Sequence, residues 1–392
     1  MTNTALGDSA ALLQALIQCD SVTPNDGGAL DVLNEQLEKA GFAVSRLNFE
    51  GDGSYPVGNL FATAGSGGRH ILFCGHTDVV PPGNMDLWTF PPFSGHVEDG
   101  VMYGRGAVDM KSGVAAFAIA AAAVATKLAP GQGRISLAIT GDEEADAING
   151  TVKMIDWAIG QGEKFDFAIV GEPSSRVEFG DSIKIGRRGS LSGIVTIRGK
   201  QGHSAYPERT LNPVAIAAAL AVRLGDHEFD RGSDHFQPTN LEVTSIDVGN
   251  KATNVIPAEA KLAFNVRFND HWTAETLTRQ IDDLISSVDH RGCTVTWRRV
   301  ATVANSFVSD VSDDVELVCD AIEDRTGQRP DLATFGGTSD ARFIAPLCPV
   351  IECGLVGQSM HQVDEHVPVA QVEELTGLYR DILMRFFGIA EA

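Results

Sequence analysis

The sequence predicts an α/β protein in which a mainly parallel sheet is flanked by helices and carries an inserted α+β domain. Residues 1–185 alternate between short apolar runs, which are typical of buried parallel strands, and helical segments. Beyond residue 186 the apolar side chains recur at every second position, as in antiparallel strands with one solvated face. A length of 392 residues also exceeds what one hydrophobic core usually holds, which favours two domains.

The first domain is predicted from its order of strands and helices. Residues 70–80, 134–140 and 165–170 are apolar runs that end in polar residues, as buried strands do. Residues 109–128 and 149–159 have helical character. Sheets of this kind bind ligands beyond the carboxyl ends of their parallel strands. The polar residues that follow these strands are therefore candidates for a functional site.

The inserted domain is predicted to run strand, helix, strand, strand, helix, strand, close to the ferredoxin-like pattern. The helix–strand rhythm of the first domain resumes after residue 301. We therefore predict a first domain formed by residues 1–185 and 299–392, and an inserted domain formed by residues 186–298. The predicted elements of the inserted domain are strands 191–198, 241–248, 260–268 and 294–300 and helices 212–224 and 273–288.

Composition argues against several classes of protein. The formal net charge is −22, whereas a surface that binds a nucleic acid needs clustered Lys and Arg, so we expect no nucleic-acid partner. The first twenty residues lack the basic and apolar regions of a signal peptide, and the longest apolar stretch, 114–125, is about half a membrane span. The six cysteines form no CxxC pair, which favours reduced thiols. We therefore expect a cytoplasmic protein with no membrane partner.

Acidic and histidine side chains stand at the ends of several apolar runs. Two imidazoles and four carboxylates suit a pair of zinc-like divalent ions better than one tetrahedral structural zinc. Asp78 follows the first of them by two residues, where it could orient that imidazole. The candidates are His76, Asp109, Glu143, Glu144, Glu172 and His361.

Each candidate also has an ordinary interpretation when taken alone. His76 could be a hydrogen-bonded core histidine, and Asp109 could be a helix N-cap. Glu143 and Glu144 could form a solvated acidic turn, and Glu172 could be a simple turn residue. His366 competes with His361 as a ligand. Convergence at the strand ends would make the chain a two-metal hydrolase.

Two sets of motifs resemble a known family. The first set is GHTDVVP at 75–81, YGRGAVDMKSG at 103–113, TGDEE at 140–144 and GEP at 171–173. It is similar to the zinc aminoacylase/carboxypeptidase family, the M20-type metallohydrolases, and implies a zinc-exopeptidase-like catalytic domain. The second set is GRRGS at 186–190, GHSAYP at 202–207, NVIPAE at 254–259, GGTSDARFI at 336–344 and MHQVDE at 360–365. It is similar to the branch of this family that removes the succinyl group from N-succinyl-LL-2,6-diaminopimelate in lysine biosynthesis, and it implies that reaction.

The resemblance implies two zinc ions per subunit, for which cobalt can substitute. Asp109 would bridge the two ions. His76 and Glu172 would complete one site, and Glu144 and His361 would complete the other. Just before this last ligand the chain reads LVGQSM, where the resemblance predicts a loop that contains Pro and Asn.

The resemblance also implies roles in catalysis and assembly. Glu143 would be the general base, and Asp78 would be the partner of His76. The inserted domain would act as a lid and form a homodimer, in which His203 reaches the active site of the partner subunit. Loss of such an oxyanion donor reduces the stabilisation of the transition state by about 3 kcal/mol.

A chain with a net charge of −22 repels an anionic substrate at long range. Binding of such a substrate would therefore need a local basic pocket. Guanidinium groups bind carboxylates through two hydrogen bonds, and the implied small-molecule substrate carries three carboxylates. The expected substrate-binding residues are Arg187, Arg188, Ser190, Tyr206, Asn254, Arg267, Gly337, Thr338 and Arg342.

Other functions share the same metal ligands. A different N-acyl amino-acid deacylase, such as an acetylornithine deacetylase, or a dipeptidase would differ in the basic pocket. A metal-binding scaffold protein without activity is the alternative from another class. The presence of Glu143 argues against it, because a site that only binds metal needs no base.

Overall fold

The structure is a computed structural model that describes residues 6–390, with the side chains of residues 301 and 302 excepted. The chain forms two compact units. The large unit contains the described residues up to Ile185, Ser309–Ala333 and the described residues from Ser339 onward, and the small unit contains Gly186–Val308 and Thr334–Thr338. In residues 6–390 no helix combines the length and the apolar character that a membrane span requires.

The helices and strands follow one another along the whole described chain. The strands are β1 (Ala43–Gly51), β2 (Ser54–Ser66), β3 (Arg69–His76), β4 (His96–Glu98), β5 (Val101–Tyr103), β6 (Gly133–Thr140), β7 (Phe167–Val170), β8 (Ser182–Lys184), β9 (Gly186–Arg187), β10 (Gly189–Arg198), β11 (Gly202–His203), β12 (Asn240–Asp247), β13 (Val255–Ile256), β14 (Glu259–Phe268), β15 (Thr294–Ala304), β16 (Phe307–Val308), β17 (Asp331–Ala333), β18 (Val350–Glu352) and β19 (His366–Pro368). The α-helices are α1 (Asp8–Ile17), α2 (Ala29–Lys39), α3 (Lys111–Ala125), α4 (Thr151–Gly160), α5 (Pro213–Gly225), α6 (Ala274–Ser286), α7 (Asp313–Thr326), α8 (Ala341–Ile344) and α9 (Val369–Phe386). Short 3-10 helices occupy Met85–Leu87 and Pro207–Arg209.

The large unit is built on one mixed sheet of order β1-β2-β6-β3-β7-β18-β8-β17. Its centre is parallel, because β3 pairs in parallel with β6 and β7, and β7 pairs in parallel with β18. The central strands are almost entirely buried, as their continuous apolar sequences predict. The α/β class with a mainly parallel central sheet is confirmed.

Helices cover this sheet and complete the core of the large unit. Most residues of α3 are buried, and its many alanines allow close packing against its neighbours. Phe117 of α3 stacks on Phe73 of β3 with ring centroids 4.2 Å apart, and Tyr379 of α9 meets both rings edge-on. These contacts fix β3, which carries the first candidate ligand at its end.

The parallel strands end together at one edge of the sheet. His76 at the end of β3 is opposite Thr140 at the end of β6, and Cys74 is opposite Val170 at the end of β7. The segments that leave β6 and β7 therefore begin beside the end of β3, at the edge where ligands bind in such sheets.

The small unit contains a separate antiparallel sheet of order β12-β14-β10-β15. Because β14 lies between β10 and β12, α5 joins two strands that are not neighbours, as in the ferredoxin-like pattern. The apolar residues of α5 and α6 pack with those of the sheet in one core. Strand β15 continues through residue 298 to Ala304, so the boundary expected at 298/299 falls inside a strand whose register follows β10.

Candidate metal centre

Two groups of candidate ligands lie side by side in the large unit. His76 Nε2 is 3.3 Å from Asp109 Oδ1 and 3.4 Å from Glu172 Oε1. His361 Nε2 is 3.2 Å from Asp109 Oδ2 and 3.0 Å from Glu144 Oε1. Within each group the ligand atoms all lie within 4.8 Å of one another. Asp109 belongs to both groups and turns one oxygen toward each.

Local structure explains how distant residues meet. His76 ends β3, Glu144 follows β6, and Glu172 follows β7 at the same edge of the sheet. Asp109 lies two residues before α3, and His361 stands in the loop before β19. Three ligands thus depend on strand ends, whereas the last two depend on loops.

The carboxylate of Asp78 mainly holds the acidic loop after β6. It accepts hydrogen bonds from the backbone N–H groups of Glu143 and Glu144, at 3.2 and 3.1 Å, and from the Thr23 hydroxyl at 2.8 Å. His76 Nδ1 donates instead to the Asp78 backbone carbonyl at 2.9 Å, with the carboxylate 3.5 Å away. This bond leaves Nε2 of the imidazole as the atom that can bind a cation.

The candidate ligands carry more negative charge than the neighbouring protein groups balance. Burial and the neighbouring charge of Asp109 raise the pKa of Glu172 to about 7. Hydrogen bonds to Asp109 and Glu144 raise the pKa of His361 to about 10. Burial raises the pKa of Asp109, but the nearby imidazoles of His361 and His76 outweigh it and lower the pKa below its ordinary value. The cluster holds more carboxylates than imidazoles, which is the situation that divalent cations relieve.

The donor set fits such cations. In the described part of the chain, His76 Nε2 and Asp109 Oδ1 are buried without a hydrogen-bond partner, although they face each other. Imidazole nitrogen and carboxylate oxygen are the ligands that zinc and related metals bind. A cation placed among them would satisfy atoms that are otherwise costly to bury.

Glu143 stands beside the ligands without belonging to either group. Its Oε2 is 3.9 Å from His76 Nε2. Burial and the charge of Glu172 raise the pKa of Glu143 well above its ordinary value. A carboxyl group placed beside the ligands without belonging to them is positioned to transfer protons to and from a group bound there.

The small unit brings together three of the predicted arginines. Ser190 and Arg267 are directly opposite in the β10–β14 pair. Burial lowers the pKa of Arg267, and the charges of Arg188 and Arg187 lower it further. Among the described residues, Arg188 Nε and Arg267 Nη1 are buried without a partner. We call Arg187, Arg188 and Arg267 the arginine cluster; its geometry favours an anionic ligand.

Two of these arginines are also held by the backbone and by side chains. Arg188 Nη1 donates to Asn240 Oδ1 at 2.9 Å. Arg187 Nη1 donates to the carbonyl of Gly337 at 3.0 Å, which links the arginine cluster to the segment that also carries Thr338. These bonds leave the remaining guanidinium atoms in fixed directions.

The other predicted residues divide between the two units. His203 and Tyr206 lie in the small unit with ring centroids 5.8 Å apart, and both are exposed. Asn254 is next to them, because its carbonyl accepts a bond from the backbone of Ser204. Arg342 belongs to the large unit, where its guanidinium covers the ring of Phe343.

Two buried carboxylates that were not among the candidates from the sequence support the ligand loops. Asp142 accepts bonds from the Tyr55 hydroxyl and from the backbone of Ile148 and Asn149, which shapes the loop of the acidic pair. Glu365 accepts bonds from the segment before Asp109. Asp142 lies in the TGDEE motif and Glu365 in the MHQVDE motif. Their membership of these motifs was the feature of the sequence that could have identified them.

The fold and the site define a hydrolase that acts on amides with the help of metal ions. The model of the Peptidase family M20/M25/M40 matches residues 72–385, and the chain belongs to this family. It is therefore a metal-dependent amidohydrolase.

Curated relatives match over nearly the full chain. Succinyl-diaminopimelate desuccinylase of Rhodopseudomonas palustris (strain BisB5) is 51% identical over 388 residues, which are 98% of this chain and 99% of the relative. The protein of the same name from Nitrobacter hamburgensis is 51% identical, with 97% and 99% covered. That from Methylorubrum extorquens is 50% identical, with 96% and 98% covered.

Solved structures of lower identity show the same fold. An M20 family metallo-carboxypeptidase from Sulfolobus solfataricus has a TM-score of 0.80 at 15% identity and covers 98% of this chain and 100% of its own. A tripeptidase from Staphylococcus aureus has a TM-score of 0.79 at 18% identity, with 98% and 100% covered. Human carnosine dipeptidase 1 has a TM-score of 0.76 at 19% identity, with 97% and 96% covered.

Proposed function

We propose that the chain is a succinyl-diaminopimelate desuccinylase. It would hydrolyse N-succinyl-LL-2,6-diaminopimelate to LL-2,6-diaminopimelate and succinate, a step in lysine and diaminopimelate biosynthesis. The observation that carries this proposal is the 51% identity to a relative of that name over 98% of the chain. The arginine cluster supports it, because the substrate would present three carboxylates.

We propose further that the metal centre holds two Zn²⁺ ions, which Co²⁺ can replace. His76, Asp109 and Glu172 would hold one ion, and Asp109, Glu144 and His361 would hold the other. When bound, such a pair lowers the pKa of a water molecule and polarises the amide carbonyl.

The side chains of the protein supply the proton transfers and the geometry. Glu143 would take a proton from the attacking water on its carboxylate and pass it to the leaving amine nitrogen. Asp78 would keep that carboxylate in place through its bond to the Glu143 backbone. His203 of the partner subunit would donate a hydrogen bond to the oxyanion of the amide.

Recognition of the substrate would rest on charge and on neutral hydrogen bonds. The arginine cluster, together with Arg342, would bind substrate carboxylates through paired N–H groups. Arg187 is buried, and Arg188 and Arg267 are half-buried. Among the described residues Arg188 Nε and Arg267 Nη1 lack a protein partner, so an anion would gain much from binding there. The neutral hydrogen bonds would come from Ser190, Tyr206, Asn254, Gly337 and Thr338.

We propose that the protein is a homodimer formed through the small unit. The outer face of α5 exposes Val214 and Val222, at 36% and 63% of their surface, among exposed alanines. Strand β12 is an edge strand of the antiparallel sheet and can pair with a second chain. We also place the protein in the cytoplasm, in keeping with six buried free cysteines.

A substrate panel tests the function. Purified protein loaded with Zn²⁺ is given succinyl-diaminopimelate, N-acetylornithine and a dipeptide, and bound metal is measured on the same sample. We expect the highest kcat/KM for succinyl-diaminopimelate, with two metal ions per subunit. A preference for N-acetylornithine or the dipeptide would favour the alternative deacylase or dipeptidase. Two bound ions without hydrolysis of any amide would favour a binding protein.

A further inference from the structure

Glu365 is a fully buried carboxylate that binds the backbone beside a metal ligand. Its Oε1 accepts hydrogen bonds from the N–H groups of Val108 and Asp109, at 2.9 and 3.2 Å. Its Oε2 accepts from Gly106 N at 3.1 Å and from Arg105 Nη1 at 2.6 Å. The carboxylate thus fixes the direction in which the chain enters Asp109.

Arg105 connects the same carboxylate to the other ligand loop. Only 2% of Arg105 is exposed. Its Nη1 donates to the carbonyl of Gln362 at 3.2 Å, and its Nη2 donates to the carbonyl of His361 at 3.5 Å. The backbone of Gly104 donates to the Glu365 carbonyl at 2.9 Å. The pair therefore ties the segment before Asp109 to the segment around His361.

The loop of His361 has a backbone that needs such support. His361 has φ +61° and Asp364 has φ +58°, in the left-handed region that side-chain-bearing residues rarely adopt. Asp364 is held by two bonds of 2.7 Å from the backbone and hydroxyl of Thr89. Hydrogen bonds from outside the loop thus impose its conformation.

We propose that Arg105 and Glu365 are positioning residues that shape the site of one of the two cations, the one bound by Asp109, Glu144 and His361. This inference rests on the proposed two-metal centre. The second site takes two ligands, Asp109 and His361, from segments held by the pair. The first site takes only Asp109 from them, because its other ligands stand at or just after strand ends.

Loss of the pair should therefore affect the two sites unequally. Groups that orient metal ligands typically change metal affinity about 10- to 100-fold when replaced. In Glu365→Gln an amide N–H₂ replaces one acceptor oxygen and faces an N–H donor. We expect the second cation to bind about 10- to 100-fold more weakly, whereas the first keeps most of its affinity.

The experiment is a calorimetric titration of the metal-free full chain with Zn²⁺, and it uses four proteins. They are the wild type, Glu365→Gln, Arg105→Lys and the control Glu163→Gln. Glu163 also forms a 2.6 Å pair with an arginine, Arg134, but it lies near the start of β3, away from the ligands. Circular dichroism of the metal-free proteins reports folding, and the Co²⁺ absorption spectrum reports ligand geometry in each site.

The expected result is weaker binding of one of the two Zn²⁺ equivalents and an altered Co²⁺ spectrum in Glu365→Gln and Arg105→Lys, with the control like the wild type. Equal weakening of both equivalents, or wild-type affinity in folded variants, would overturn the inference. If Glu365→Gln does not fold, Arg105→Lys decides the outcome. This variant keeps the positive charge but loses the paired N–H groups of the guanidinium. Wild-type protein that takes up fewer than two equivalents would instead overturn the two-metal proposal on which the inference depends.

Discussion

Asp230 of the small unit gives a stability prediction whose size follows from its contacts. Its Oδ1 accepts hydrogen bonds from Gly232 N at 2.8 Å, Thr239 N at 3.2 Å and Asn269 Nδ2 at 2.6 Å, and its Oδ2 accepts from Trp272 Nε1 at 2.8 Å. Burial raises the pKa of this carboxyl, but the hydrogen bonds, beginning with that from the Thr239 hydroxyl, outweigh it and lower the pKa to about 2.

The sign and size of the effect follow from linkage. A carboxyl with a pKa near 2 in the folded protein and about 3.9 in the unfolded chain stabilises the fold above pH 4 by up to about 2.6 kcal/mol. Partial exposure to solvent reduces this to about 1 to 2 kcal/mol. Since the pKa is depressed by folding, the contribution is complete at neutral pH and is lost as the pH falls from about 4 to about 2.

The assay compares Asp230→Asn with wild type and with Asp234→Asn, an exposed aspartate of the same loop. Unfolding by urea is followed between pH 7 and pH 3 by fluorescence, to which Trp272 contributes. We expect Asp230→Asn to lower the free energy of unfolding by about 1 to 2 kcal/mol at pH 7, with the difference shrinking toward pH 3. The control should stay within about 0.5 kcal/mol of wild type. A difference that is absent at pH 7, or that grows as the pH falls, would refute the reasoning.

Three further predictions concern the reaction. Arg267→Gln should raise KM for succinyl-diaminopimelate far more than for a neutral N-acyl amino acid, because one carboxylate contact is lost; equal effects in steady-state kinetics would count against direct recognition. His203→Ala should lower kcat about 100-fold, as expected for one oxyanion donor, and keep both metals; unchanged kcat with normal metal content would remove His203 from the mechanism. A chelator should abolish hydrolysis, and added Zn²⁺ or Co²⁺ should restore it; activity in verified metal-free protein would contradict a metal-assisted reaction.

The fold could be predicted from the sequence because its signals are local. The apolar run around β3 and the alternation along β10 each specify a kind of strand within a few residues. The end of the small unit could not be predicted, because β15 continues past residue 298 by pairing with a strand about one hundred residues earlier. The structure extends that unit to Val308 and adds Thr334–Thr338, a segment far along the chain.

The candidate site, like the fold, could be predicted from the sequence only in part. The chemistry of imidazole and carboxylate side chains was enough to select the ligand candidates at strand ends and the acidic pair, whereas the family resemblance selected His361 over His366. The contacts of Asp78 were not foreseen, because its carboxylate binds backbone N–H groups more than sixty residues away. The role of Glu365 was also hidden, since its acceptor atoms meet donors 256 to 260 residues earlier.

The sequence by itself determined which side chains can hold cations, because ligand chemistry belongs to each residue and strand ends are visible in the order of apolar and polar residues. Tertiary structure alone decided that Asp109 turns one oxygen to each group and that buried carboxylates hold the loops in place. The physical reason is that hydrogen bonds between a carboxylate and distant backbone groups depend on packing in three dimensions, and no local pattern of residues encodes them.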